Sequence, residues 1–117
     1  MEEIIMWHKP NCSTSLETLA LLKANKIRPT IRHYLEDVPN ETELADVIQK
    51  LGIKPFDLIR RKEPIFKEKY LGKTRRPAAW IKIMVKNPIL IERPIIIKGN
   101  KAVMGRPPEN ALKINEE

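Results

Sequence analysis

Within its first 35 residues the chain reads strand, helix, strand, and that order constrains the fold more than any other feature. Ile4, Ile5, Met6 and Trp7 form an apolar run of strand length. Thr14 to Asn25 then sets Leu16, Leu19, Ala20, Leu21 and Leu22 among polar residues at near-helical spacing. Pro29 breaks the pattern, and Thr30 to Leu35 alternates like a second strand. Two strands joined by a single helix lie parallel, with a right-handed crossover.

The middle of the chain changes texture. Asn40 with Glu43 three residues on predicts a capped helix start, Leu44, Val47, Ile48 and Leu51 give it one apolar face, and Gly52 ends it. Pro55, Pro64 and Pro77 each suit the first position of a further short helix, carrying Phe56 and Ile59, Phe66 and Tyr70, and Trp80, Ile81, Met84 and Val85. Strands return at Ile95–Lys98 and Lys101–Met104 around Gly99-Asn100, a two-residue hairpin signal, and a short helix is expected over Pro108 to Ile114. The expectation is an α/β domain spanning 1–117: a four-stranded mixed sheet built from βαβ, a helical insertion at about 37–88, a β-hairpin and a C-terminal helix.

Composition narrows the function classes. No stretch of about 18 apolar residues is present, so no membrane partner is expected, and the N-terminus lacks the basic leader and apolar core of a signal peptide. A single cysteine forms neither an internal disulfide nor a cysteine-built metal site, which fits a reducing cytoplasm. The formal charge of +7 favours anionic partners. Basic residues occur along the whole chain and aromatics make up 5%, which argues against nucleic acid.

The single cysteine, Cys12, lies between the first strand and the first helix. There it meets the free N–H groups and positive end of the helix, which favour a thiolate. A free thiol titrates near about 8.5, and lowering that by two units takes roughly 2.7 kcal/mol. A helix end supplies about 0.3–1 kcal/mol, rising to about 2 in buried sites, so His8 or arginines must contribute. Ser13, Thr14 and Ser15 add hydroxyls for the thiolate or a substrate oxygen, and the same amides suit an oxyanion. The polar, turn-like neighbours of Cys12 argue against a core position. Arg60, with its rival Arg61, and Arg93 and Arg106, each before a proline, offer planar forks for a tetrahedral oxyanion.

His8-x-x-x-Cys12-x-Thr14-Ser15, followed by Thr18-Leu19, resembles the N-terminal motif of the ArsC-type, glutaredoxin-coupled arsenate reductases. His33-Tyr34-Leu35-Glu36, Leu51-Gly52-Ile53 and Leu58-Ile59-Arg60-Arg61 resemble further family segments. The most specific match is the run from Asn87-Pro88 to Arg93-Pro94-Ile95, with Gly105-Arg106-Pro107 at the expected interval. The resemblance implies a thioredoxin-like fold with a helical insertion and a cis bond before Pro94. It implies that the Cys12 thiolate attacks arsenate or a similar oxyanion, with His8 helping to keep it ionised. Arg60, Arg93 and Arg106 would hold the anion. No cofactor stays bound; glutathione is the co-substrate that displaces at the adduct, and glutaredoxin resolves the mixed disulfide. The chain departs from the family pattern at Ser13, usually Gly, and at Leu16, commonly Arg.

Two alternatives share the fold. One is a regulator of Spx type that binds RNA polymerase, whose Cys-x-x-Cys switch is interrupted here by Ser15. The other is a glutathione-dependent thiol oxidoreductase with a different substrate.

Overall fold

The computed structural model describes residues 2–116, in two compact units. One runs up to Asp37 and resumes at Arg93; the other is Val38–Glu92.

The first unit holds the sheet. Its elements are β1 (Ile4–Trp7), α1 (Ser13–Ala24), β2 (Thr30–Arg32), β3 (Ile95–Lys98), β4 (Lys101–Met104) and a 3-10 segment, Pro108–Asn115. The strand order is β2-β1-β3-β4, with β1 parallel to β2 and antiparallel to β3, and β3 antiparallel to β4. This is the mixed, thioredoxin-like sheet that the family resemblance implies. Met6 pairs with Ile96 on one face, where Leu22 and Ile27, and Ala111 and Ile114 of the C-terminal segment, complete a buried cluster. Trp7 pairs with Ile95, and its ring stacks on Tyr34 at a centroid distance of 6.3 Å.

Three local expectations change. β2 stops at Arg32 because the Glu36 and Asp37 N–H groups both bond back to the His33 carbonyl, turning the chain and burying Tyr34 against Trp7. On α1 the buried stripe is Ser15, Thr18 and Leu22, with Leu19 partly buried, while Leu16 is 49% exposed. That is a helical spacing of three and four, shifted one position from the leucine pattern. The C-terminal element is a 3-10 helix rather than an α-helix; beside it the Asn110 side-chain amide donates to the Met104 carbonyl.

The second unit contains α2 (Glu41–Leu51), a 3-10 turn at Pro55–Leu58, α3 (Pro64–Lys69), α4 (Pro77–Lys86) and a 3-10 turn at Pro88–Leu90. Asn40 caps α2 by accepting from the Glu43 N–H at 2.8 Å, and the Glu43 carboxylate accepts from the Asn40 N–H in return. Gly52 closes α2 in the left-handed region at φ 71°, where a side chain is disfavoured. The unit extends past residue 88 because Ile91 bridges Ile59, and the Glu92 N–H donates to the Leu58 carbonyl. Phe56, Phe66, Tyr70 and Trp80 form its ring cluster. No helix among the described residues is long and apolar enough to cross a membrane.

Candidate active site at the start of helix α1

Sheet register builds the site. Trp7 ends β1 opposite Ile95, which starts β3, and Ile95 stands opposite Met104, which ends β4. The segments that follow or precede those residues, His8–Cys12, Arg93–Pro94 and Gly105–Arg106, therefore leave the sheet at the same end of its strands. Residues more than ninety positions apart converge there.

Cys12 is the N-cap of α1, with extended backbone, and no side chain caps the helix. Its N–H donates to the Lys9 carbonyl at 3.1 Å, forming the turn that aims the thiol along the helix start. No acidic residue occupies the first turn, so the positive helix end is uncompensated. Contrary to the expectation from its polar neighbours, Cys12 is only 9% exposed. The chain folds over it because Arg106 comes to the sulfur, its Nη2 lying 3.8 Å from Sγ.

Burial alone would raise the thiol pKa. The Ser15 N–H, a hydrogen bond and charge from Arg93, and the Thr14 N–H outweigh it and bring the pKa down from 9.0 to about 7. Ser15 thus serves through its backbone. Its buried hydroxyl accepts from the Lys9 N–H at 3.4 Å, and the Ser13 side chain is exposed.

The two arginines are tied to each other. Arg93 is buried, Arg106 is exposed, and Arg106 Nε donates to the Arg93 carbonyl at 2.7 Å. That bond fixes one fork against the backbone carrying the other. The Arg93–Pro94 and Arg106–Pro107 peptide bonds are both cis.

His8 leaves the end of β1 and is buried. Burial, and secondarily the neighbouring His33, lowers its pKa from the ordinary 6.5, which favours the neutral ring. A neutral imidazole supplies no charge to a thiolate, and the charge that the helix end lacks comes from Arg93. His8 Nδ1 is enclosed with no hydrogen-bond partner among the described residues.

Arg60 belongs to the Val38–Glu92 unit, where its guanidinium pairs with Glu92 through Nη1 and with Glu63 through Nε at 3.5 Å. Arg61 is exposed and lies over the Phe56 ring, 4.7 Å from its centroid. Cys12, Arg93 and Arg106 are brought together; Arg60 has two carboxylates as its partners.

Two contributors carried no role in the sequence reading. The Thr18 hydroxyl lies 2.7 Å from the Thr14 carbonyl and 3.2 Å from the Gly105 carbonyl, joining α1 to the end of β4. A Cβ on Gly105 would come within 2.6 Å of Pro94 Cγ and 2.9 Å of the Thr18 side chain. The recurring motifs around both residues were the available signal. Among the described residues, no group of three or more His, Cys, Asp or Glu side chains is arranged for a metal ion.

The profile of the ArsC family matches residues 7–114. The chain belongs to the ArsC family. It is 41% identical to an arsenate reductase of Haemophilus influenzae over 95% of this chain and 97% of that protein. It is likewise 41% identical to YfgD, an uncharacterized protein of Escherichia coli, over 97% of each. Among solved structures, an arsenate reductase from Vibrio cholerae superposes with a TM-score of 0.92 at 40% identity, covering 97% of this chain and 98% of that one. The ArsC-family match thus includes Cys12, Arg93 and Arg106.

Proposed function

We propose that this ArsC-family protein is an arsenate reductase in which Cys12 is the nucleophile and Arg93 and Arg106 bind the oxyanion. The observation that carries the reading is a thiol with a pKa of about 7 against Arg93, with the Arg106 fork 3.8 Å from its sulfur. Relatives and a solved structure named arsenate reductases support the substrate.

The Cys12 thiolate attacks arsenic(V), and one arsenate oxygen leaves as water after protonation. Arg93 and Arg106 offset the charge that gathers on the remaining oxygens. Glutathione then attacks the Cys12 sulfur, the arsenic–sulfur electron pair stays on arsenic, and arsenite departs. Two thiols thereby become one Cys12–glutathione disulfide, matching the two electrons gained by arsenic. Glutaredoxin takes up the glutathione and returns the Cys12 thiolate. With no second cysteine in the chain, an outside thiol has to close the cycle. The Thr14 and Ser15 N–H groups steady the thiolate. In this reading the protein works in the reducing cytoplasm, and Val38–Glu92 is a helical insertion in one thioredoxin-like domain.

Arsenite release by the pure protein with glutathione and glutaredoxin tests the proposal. The expected result is turnover in the natural protein and none in Cys12→Ser. Equal rates in the two, or no turnover in either, would overturn it.

A further inference from the structure

The chain's positive charge has an address. Residues 60–76 hold eight basic side chains against Glu63 and Glu68, a net +6 of the chain's +7, leaving +1 for all the rest. Occurrence of lysines along the whole chain conceals this, because elsewhere 14 basic residues stand against 13 acidic ones. Within the segment Arg60 takes Glu63 for itself, together with Glu92. The other seven cations, from Arg61 to Arg76, are all exposed, and none forms an ion pair among the described residues.

Two of the seven are held in place. Arg61 lies over the Phe56 ring at 4.7 Å, and Arg75 lies over Tyr70 at 5.5 Å and Trp80 at 5.9 Å. A guanidinium on a ring face loses rotamer freedom when the unit folds, and its N–H edges remain available for an anion. Mutual repulsion among the seven opposes folding, so the segment keeps them at a cost in stability.

Their setting separates the classes of polyanion. Protein interfaces place aromatic and apolar side chains at their centre and are depleted in lysine. Here the order is reversed. Phe66 and Trp80 are buried under the charges, Leu71 is the one large hydrophobic exposed among them, and lysines make up much of the surface. The half-buried rings of Phe56 and Tyr70 already carry the guanidinium groups of Arg61 and Arg75, so stacking on bases is not the main offer, and what remains is charge and hydrogen bonding to a string of phosphates. We infer that the exposed Arg61–Arg76 segment of the Val38–Glu92 unit binds the phosphate backbone of nucleic acid without regard to sequence. The reading is independent of the chemistry at Cys12.

The test is fluorescence anisotropy of the full-length protein with a labelled duplex of about 20 base pairs and mixed sequence, across a KCl series. Binding with a dissociation constant of about 1–100 μM at physiological salt is expected, weakening by roughly three decades between about 50 and 200 mM KCl. Replacing Lys67, Lys69 and Lys73 together by Gln removes three exposed charges that touch no ring; it should flatten the log–log salt slope by about 2.7. The same number of charges removed at Lys23, Lys26 and Lys113 should leave the slope unchanged. Circular dichroism and the thermal unfolding midpoint check that both variants remain folded. No binding at about 50 mM KCl, or equal slopes for the two triple variants, would overturn the inference. So would displacement of the duplex by polyglutamate at an equal or lower charge concentration, which would assign the segment to an acidic protein.

Discussion

At Cys12 the two arginines contribute differently. Arg93, buried, hydrogen-bonds the thiolate and lowers its pKa, while Arg106 reaches the sulfur from the exposed side at 3.8 Å. The rate of Cys12 alkylation against pH should therefore have its midpoint near 7. Arg93→Gln should move it upward, because burial then acts with less opposition. A natural midpoint at 8.5 or above, about that of a free thiol, would remove the activated thiolate. His8 has the opposite linkage to most surface histidines. Its folded-state pKa lies below the ordinary 6.5, so over that interval the unfolded chain binds the extra proton. The neutral form's contribution to stability is present above pH 6.5 and is lost as pH falls through 6.5 toward the folded value. Between about pH 7.5 and 5.5, the urea midpoint of the natural protein should fall further than that of His8→Gln. At this scale the sequence singled out the thiol and the two arginines that the fold brings together. The burial of His8 and Ser15 was not legible there, because burial and the choice between a backbone and a side-chain donor depend on neighbours brought in by folding.

Among the elements, α1 joins the chemistry to the sheet. It buries Ser15 and Thr18 where a purely structural helix would bury leucines, because its first turns face the backbone of the site. The Thr18 hydroxyl reaches the Gly105 carbonyl, and Gly105 has room for no more than hydrogen beside Pro94. Gly105→Ala should cost about 1–3 kcal/mol through overpacking, read as a lower thermal midpoint. Part of the alkylation profile of Cys12 should change with it, since α1 carries both Thr18 and the amides at the thiol. A midpoint equal to the natural protein's would show that α1 and β4 can separate without loss. Element existence was legible throughout: apolar periodicity, the Asn40–Glu43 box and the Gly99-Asn100 turn are local signals. The phase of α1 and the end of β2 were not. Both are set by packing partners, Gly105 and Pro94 for the helix and Trp7 for Tyr34.

On the scale of the molecule, one core cluster supports the sheet that brings the site together. Leu22 lies wholly buried in it with Met6, Ile96 and Ile114. Leu22→Ala should cost about 2.7–5 kcal/mol, the spread reflecting how far the cavity collapses, and denaturant unfolding measures it. A loss below about 1 kcal/mol would mean that the cluster refills the space. The sequence by itself determined the βαβ start, the hairpin, the lone thiol at a helix N-terminus and the family. Each is written within a few residues or in motifs kept in order. Only the tertiary structure decided that Arg93 is buried beside the thiol, that Arg106 is pinned to its carbonyl, and that His8 is buried. The pairings Trp7 with Ile95 and Ile95 with Met104 join segments far apart in the chain, and desolvation acts only once they have met.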